Sequence, residues 1–335
     1  MTLPAGTVPR VLLSARTRDA AAAAIDAAAE GLPITLLSLE EAAQDEAATV
    51  HAAFISRDIT GLSTKTSAHR DLAACHRVLR RSPQLAWVHT HSAGADRPIY
   101  AELRGRGVAV TTSSGANAQV VAQTALAGLL GLSRRFPQLM RAQHAHRWAP
   151  LVAGPMPPDL AGQTVVLVGW GPIARTLQPV LALLGLNVVV VRHAAAPAGP
   201  GIETVALAAL HSVLPRADWL LLACPLTEQT HGLIDARALA LLPRGAQLVN
   251  VARGEVVVEA ALVASLHAGQ LAGAFLDVFE HEPLPADSAL WDLPGVMVSP
   301  HSAGHASGNA GRSIAIFADN LGHWLRRQPL RNAVP

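Results

Sequence analysis

The feature that most restricts this chain is an alternation of short apolar runs with alanine-rich helical stretches, played through twice. In the second half the runs TVVLVG, NVVVVR, DWLLLAC, AQLVNVA, AGAFLDV and GVMVSP are almost wholly apolar. A strand apolar on both faces has to be covered on both, and helical crossovers between parallel strands supply that cover. In the first half RVLLSA, PITLLS, HAAFIS, LAWVHTHS and VAVTTS alternate with DAAAAAIDAAAE, EEAAQDEAA, HRDLAACHRVLRR and PIYAELRGRG. They read the same way. A longer helical region, NAQVVAQTALAGLLGLSRR and then FPQLMRAQHAHRW, lies between the halves and ends in the loop PLVAGPMPPDLAG. The pattern predicts two doubly wound parallel-sheet domains of α/β class. The first covers residues 1–114 and the second 115–301, while the closing helix within 302–335 folds back onto the first.

A length of 335 residues gives each domain enough chain for a core of its own. Several partner classes are excluded by composition. No apolar run reaches the length needed to cross a bilayer, and MTLPAGTVPRVLLSA lacks the parts of a secretion signal, so a cytoplasmic protein without a membrane partner is expected. Cys75 and Cys224 are the only cysteines and lack metal-ligand spacing, which leaves neither a disulfide framework nor a metal site in view. A net charge of +2 on scattered arginines, with aromatic residues at 4%, offers no basic stripe for nucleic acid.

TVVLVGWGPIARTL sets Gly169 and Gly171 between a strand and a helix, the context in which such a pair carries meaning. Gly169 permits the sharp turn. Gly171 removes the side chain that would block a pyrophosphate from the helix N-terminus, where free N–H groups and the helix dipole attract anions. Pro172 has no N–H but suits the first helical position, so Ile173 is the expected amide contact. Ala174 stands at the third glycine position, where a methyl still allows close packing of helix on strand. At the end of the next strand NVVVVRHAAA offers Arg192 and His193 and no carboxylate. An acid there would suit the ribose hydroxyls of NAD, whereas a cation suits the 2′-phosphate of NADP. NADP is therefore the preferred cofactor and NAD the alternative.

Three further strand ends bring chemistry to the carboxyl edge of the second sheet, where ligands of open α/β sheets bind. They are LVNVARGEVV with Arg253, FLDVFEHEPL with Asp277, Glu280 and Glu282, and VMVSPHSAG with His301. Reducing a 2-keto acid needs a fixed cation for the carboxylate, an acid for the carbonyl oxygen and a group that keeps that acid protonated. Arginine presents a planar fork, histidine titrates in the right range, and a carboxylate beside an imidazole favours its charged form. The residues alone leave open which of the three acids does this.

These motifs, together with HSAGADRP, VAQTALAGLLGLSR, CPLTEQTHGLI and DVFEHEPL, resemble the D-isomer-specific 2-hydroxyacid dehydrogenases over nearly the whole chain. The resemblance implies a Rossmann cofactor domain inserted into a smaller flavodoxin-like substrate domain, with closure about hinges near residues 114 and 302. It makes Arg253 the substrate-binding arginine, His301 the proton donor and acceptor, and Glu282 its carboxylate partner. Asp277 would lie near the cofactor, while Glu280 has no carried-over role. Ala93 and Gly94 would offer backbone N–H groups to the substrate carboxylate. Cys224, Pro225, Leu226, Thr230, Val251, Ala252, Ala303 and Gly304 would complete the cofactor surroundings, which Arg253 and His301 also border. Gln123 departs from the glutamate common at its position, away from the proton and hydride paths.

Position 192, and the lack of a further domain beyond residue 335, make the chain look like the glyoxylate and hydroxypyruvate reductases. Glu282 counts against formate oxidation. Two other readings are a dehydrogenase of bulkier or phosphorylated 2-hydroxy acids and a non-catalytic dinucleotide sensor. The apolar character of residues 117–148, which end at Trp148, further suggests a homodimer.

Overall fold

The computed structural model describes residues 7–45, 47, 49–63 and 67–334, and divides into two compact units. Residues 1–6 and 335, which belong to the predicted terminal stretches, lie outside the described residues.

One unit takes its chain from both ends, Met1–Asn117 and Ala306–Pro335. Its strands are β1 (Arg10–Leu13), β2 (Thr35–Ser38), β3 (Ala52–Ile55), β4 (Trp87–Thr90) and β5 (Ala109–Thr112), all parallel in the order β2-β1-β3-β4-β5. That is the flavodoxin-like order. The helix Ala15–Ala29 starts where Ser14 caps it, its side chain accepting from the Thr17 N–H, which satisfies one of the orphan donors of the first turn. The helix Asn309–Leu325 packs beside it. Phe317 of that helix stacks on Phe54 of β3, ring centres 4.7 Å apart, and on Trp87 of β4 at 5.5 Å. The C-terminal helix is thereby part of this unit's core.

The other unit, Ala118–His305, holds β6 (Thr164–Val168), β7 (Asn187–Arg192), β8 (Glu203–Ala206), β9 (Trp219–Leu222), β10 (Ala246–Asn250), β11 (Leu271–Leu276) and β12 (Val296–Val298). The sheet is parallel throughout in the order β12-β11-β10-β9-β6-β7-β8. Direction of winding reverses between β6 and β9, which opens a crevice at their carboxyl ends, as in other Rossmann sheets. Val166, Val168, Leu220, Leu222 and Leu248 face one apolar cluster, and Val165, Leu167, Trp219, Leu221 and Val249 face the other. This is why the strand runs are apolar at consecutive positions.

The helix Ala118–Ser133 covers one face of the sheet, burying Val121, Ala122, Ala125, Leu129 and Leu132 against it. Its apolar composition is thus accounted for inside the unit, which corrects the expectation that all of residues 117–148 seek a partner. The exposed apolar side chains lie further along, at Phe136, Met140, Trp148, Val152 and Met156. Among the described residues no helix is long and apolar enough to cross a membrane, and no cluster of side chains could hold a metal ion.

Candidate active site

Each candidate side chain of the second unit sits where a strand ends. After β6 the backbone at Gly169 takes φ +105°, and a Cβ there would come within 2.7 Å of the Ala223 carbonyl. Only glycine serves at this point. Gly171 is the N-cap of the helix Pro172–Leu183, and a Cβ on it would meet nothing within 4 Å. Its lack of a side chain leaves the first helical amides, Ile173 among them, open to an anion.

Beside this turn lies a cavity of about 610 Å³, lined by Gly169, Arg192, His193, Cys224, Pro225 and Thr230 from the predicted set. Trp170, Thr227, Glu228 and Gln229 line it too, and sequence reasoning passed over them. Gln229 Oε1 accepts from His193 Nδ1–H at 2.9 Å, a pairing across 36 residues that local pattern gives no means of seeing. The Thr230 hydroxyl donates to the Pro225 carbonyl at 2.7 Å and so closes the 225–230 turn. Cys224 is buried, which pushes its thiol up to about 11 and keeps it inert. A crevice at the reversal of the sheet and a bare helix N-terminus fit the pyrophosphate of a dinucleotide. Leu226, Ala252 and Gly304 do not line this cavity, while the Val251 and Ala303 side chains are buried in the core.

Arg253 follows β10 and is partly buried. Asn250 shapes its turn: the side-chain carbonyl accepts from the Ala252 N–H at 3.0 Å and the amide donates to the Arg253 carbonyl at 3.1 Å. Gly254 then presses against the next strand-end loop so closely that a Cβ would lie 1.8 Å from the Phe279 carbonyl carbon. The loop of Arg253 is thereby packed on the loop of Glu282.

Glu282 accepts from the Phe279 N–H through Oε1 at 3.1 Å, and its Oε2 lies 2.8 Å from His301 Nδ1. With Nδ1–H given to the carboxylate, Nε2 is the ring atom that faces outward. His301 has φ +49°, in the left-handed region that non-glycine residues seldom enter. Asp277 holds it there. The Asp277 carbonyl accepts from the His301 N–H at 2.8 Å, and Oδ1 accepts from the N–H groups of Ser302 and Ala303 at 2.8 and 2.9 Å. Burial pushes the Asp277 carboxyl above its usual range, against the pull of these hydrogen bonds. Asp277 and Asn250 therefore work on backbone shape, a task that residue type alone did not reveal. Glu280 is exposed, and its N–H donates to Glu259.

Ala93 and Gly94 lie in the other unit, in the turn after β4, and neither N–H has an acceptor within the protein.

Comparison with known proteins identifies the family. The family model for the NAD-binding domain of D-isomer specific 2-hydroxyacid dehydrogenases matches residues 126–303. The chain is 36% identical over 245 residues to a (S)-sulfolactate dehydrogenase of Chromohalobacter salexigens, covering 73% of this chain and 79% of that one. It is 32% identical over 261 residues to glyoxylate/hydroxypyruvate reductase B of Citrobacter koseri, covering 77% and 80%. It also matches mycobacterial D-3-phosphoglycerate dehydrogenases, of which it spans 45%. Among solved structures, a D-isomer specific 2-hydroxyacid dehydrogenase from Xanthobacter autotrophicus Py2, in complex with NADPH and MES, superposes with a TM-score of 0.72 at 30% identity, over 97% of this chain and 98% of that one. The glycine turn, the paired histidine and glutamate and these likenesses converge on one answer: the chain belongs to the D-isomer-specific 2-hydroxyacid dehydrogenases and is an NAD(P)-dependent oxidoreductase.

Proposed function

We propose that the protein reduces a short 2-keto acid of the glyoxylate or hydroxypyruvate type to the D-2-hydroxy acid, with NADPH preferred over NADH, and runs the reverse oxidation. The single observation that carries this reading is the 2.8 Å contact of His301 Nδ1 with Glu282 Oε2, which commits Nδ1–H to the carboxylate and leaves Nε2 as the nitrogen that exchanges a proton with substrate. NADPH, when bound, supplies the hydride that arrives at C2. His301 gives its Nε2 proton to the carbonyl oxygen as negative charge develops there, and takes it back in the reverse direction. Glu282 accepts the Nδ1 proton and fixes the ring plane, so that Nε2 points to the substrate side. Arg253 pairs with the substrate carboxylate through its fork of donors and draws electron density from the carbonyl. The amides of Ala93 and Gly94 share the carboxylate. Arg192, with His193 beside it, supports the NADPH preference by offering positive charge to a 2′-phosphate.

The test is a panel of 2-keto acids run with both cofactors on the wild-type protein and on Arg192→Ala. The wild type is expected to favour NADPH with a small substrate. The variant should lose roughly tenfold to a hundredfold of its kcat/KM with NADPH, the worth of a charge-assisted hydrogen bond, and little with NADH. A wild-type advantage with NADH overturns the cofactor assignment.

The exposed apolar side chains between Phe136 and Met156, with Trp148 96% exposed, support a twofold dimer through this segment. Light scattering reads the mass directly, and a monomer at micromolar concentration overturns it. A reducing, cytoplasmic compartment fits the two free thiols.

A further inference from the structure

The turn after β4 carries the amides assigned above to the substrate carboxylate. Among the described residues the N–H groups of Ala93, Gly94 and Ala95 have no acceptor within the protein, so three successive amides are open to an anion.

A file of hydroxyls holds this turn. The Tyr100 hydroxyl donates to Thr90 Oγ1 at 2.9 Å, Thr90 Oγ1 lies 3.0 Å from Ser92 Oγ, and Ser92 Oγ donates to the Gly94 carbonyl at 2.7 Å. Each hydroxyl has one proton to give. Since the Tyr100 proton lies on Thr90 and the Ser92 proton lies on Gly94, the proton between Thr90 and Ser92 belongs to Thr90. All three bonds then run in one direction and polarise one another toward Gly94. Tyr100 and Thr90 are buried, and burial pushes the phenol up to about 12, so Tyr100 remains a donor at any working pH. The Ser113 N–H clasps the same turn by donating to the carbonyls of Thr90 and Ser92 at 3.0 and 2.9 Å.

In a trans peptide the C=O and the N–H point in opposite directions. Fixing the Gly94 carbonyl toward Ser92 therefore fixes the Ala95 N–H away from it. We propose that Tyr100, Thr90 and Ser92 are positioning residues for carboxylate recognition, acting through the Gly94–Ala95 peptide to set substrate affinity without touching the reacting atoms. The proposal rests on the 2-keto acid reading given above.

Steady-state kinetics with glyoxylate and hydroxypyruvate on Ser92→Ala, Ser92→Thr and Tyr100→Phe test it, with melting temperatures taken alongside. Ser92→Ala should raise the KM for the keto acid about fivefold to tenfold, the loss of one aligned hydrogen bond, with kcat and the KM for NADPH within about twofold of wild type. Tyr100→Phe, two bonds further back, should raise the KM by a smaller factor. Ser92→Thr keeps the hydroxyl and should restore the wild-type KM. An unchanged KM in Ser92→Ala, or an equal fall in kcat and in NADPH affinity, overturns the proposal. A wild-type protein that reduces no 2-keto acid overturns the reading beneath it, and that outcome is separate from either.

Discussion

At the end of β4, His89 is fully buried and spends both ring nitrogens inside the protein, whereas beyond the end of β12 His301 keeps 48% of its side-chain surface and engages Nδ1 alone. The His89 network closes on itself. Trp87 Nε1–H donates to Thr111 Oγ1 at 2.8 Å, and the Thr111 hydroxyl donates to His89 Nδ1 at 2.7 Å. His89 Nε2–H then donates to Ser113 Oγ at 3.0 Å, and Ser113 donates to the Thr90 carbonyl at 3.0 Å. With no charge nearby to compensate, burial pushes the His89 imidazole down to about 3, so it is neutral at every working pH. At His301 the nearest partner is a carboxylate and the other nitrogen is accessible. The same residue type at the same kind of strand end is locked inside one sheet and left half-exposed with a single partner beyond the other.

The contrast can be broken most directly by removing each ring. His301→Ala should lose about two to four powers of ten in kcat, the usual contribution of a general acid, while cofactor binding measured by fluorescence titration persists. Turnover at the wild-type level would remove His301 from proton transfer. A smaller effect is expected when the partner alone is neutralised. Glu282→Gln keeps an oxygen for the Phe279 N–H but loses the charge, and kcat should fall about tenfold to a hundredfold, less than in the His301 variant. A Glu282→Gln protein as fast as wild type would mean that the 2.8 Å contact has no catalytic consequence.

The smallest effect is on stability and belongs to His89. Its folded value lies below that of the unfolded chain, so its contribution is fully present above the unfolded pKa and is lost as pH falls toward the folded one. Between pH 7 and pH 5 the loss should be about 2 kcal/mol, from a folded value near 3 and an unfolded one of ~6.5. Denaturant titrations of wild type and His89→Gln at both pH values isolate this, because the variant lacks the titrating ring. Equal pH dependence in the two would show that His89 does not stay neutral in the fold.

How much of the site was legible varies residue by residue. Gly169 could be recognised because a turn between an apolar strand and a helix demands an unusual backbone, and local sequence records local backbone. The motifs singled out Arg253, Glu282 and His301 as candidates, and of these the structure puts Glu282 against His301 across 19 residues of chain. Asp277 and Glu280 could not be told apart from Glu282 by residue type: one is buried and turned to the backbone, one is solvated, and one meets an imidazole. Asn250, Gln229 and the Tyr100 hydroxyl file were missed because an asparagine, a glutamine or a tyrosine gains its role only from what another segment brings alongside.

By itself, the sequence determined two parallel sheets, because runs apolar at consecutive positions require cover on both faces and crossovers supply it. It also determined that a phosphate-friendly turn follows β6, because glycine spacing there answers to backbone geometry within a few residues. Only the tertiary structure decided which acid pairs with His301, which histidine is silent and which face of the 117–148 region is already covered. Those outcomes depend on burial and on distances between segments far apart in the chain, and hydrogen bonding and desolvation act on such distances, whatever the separation along the chain.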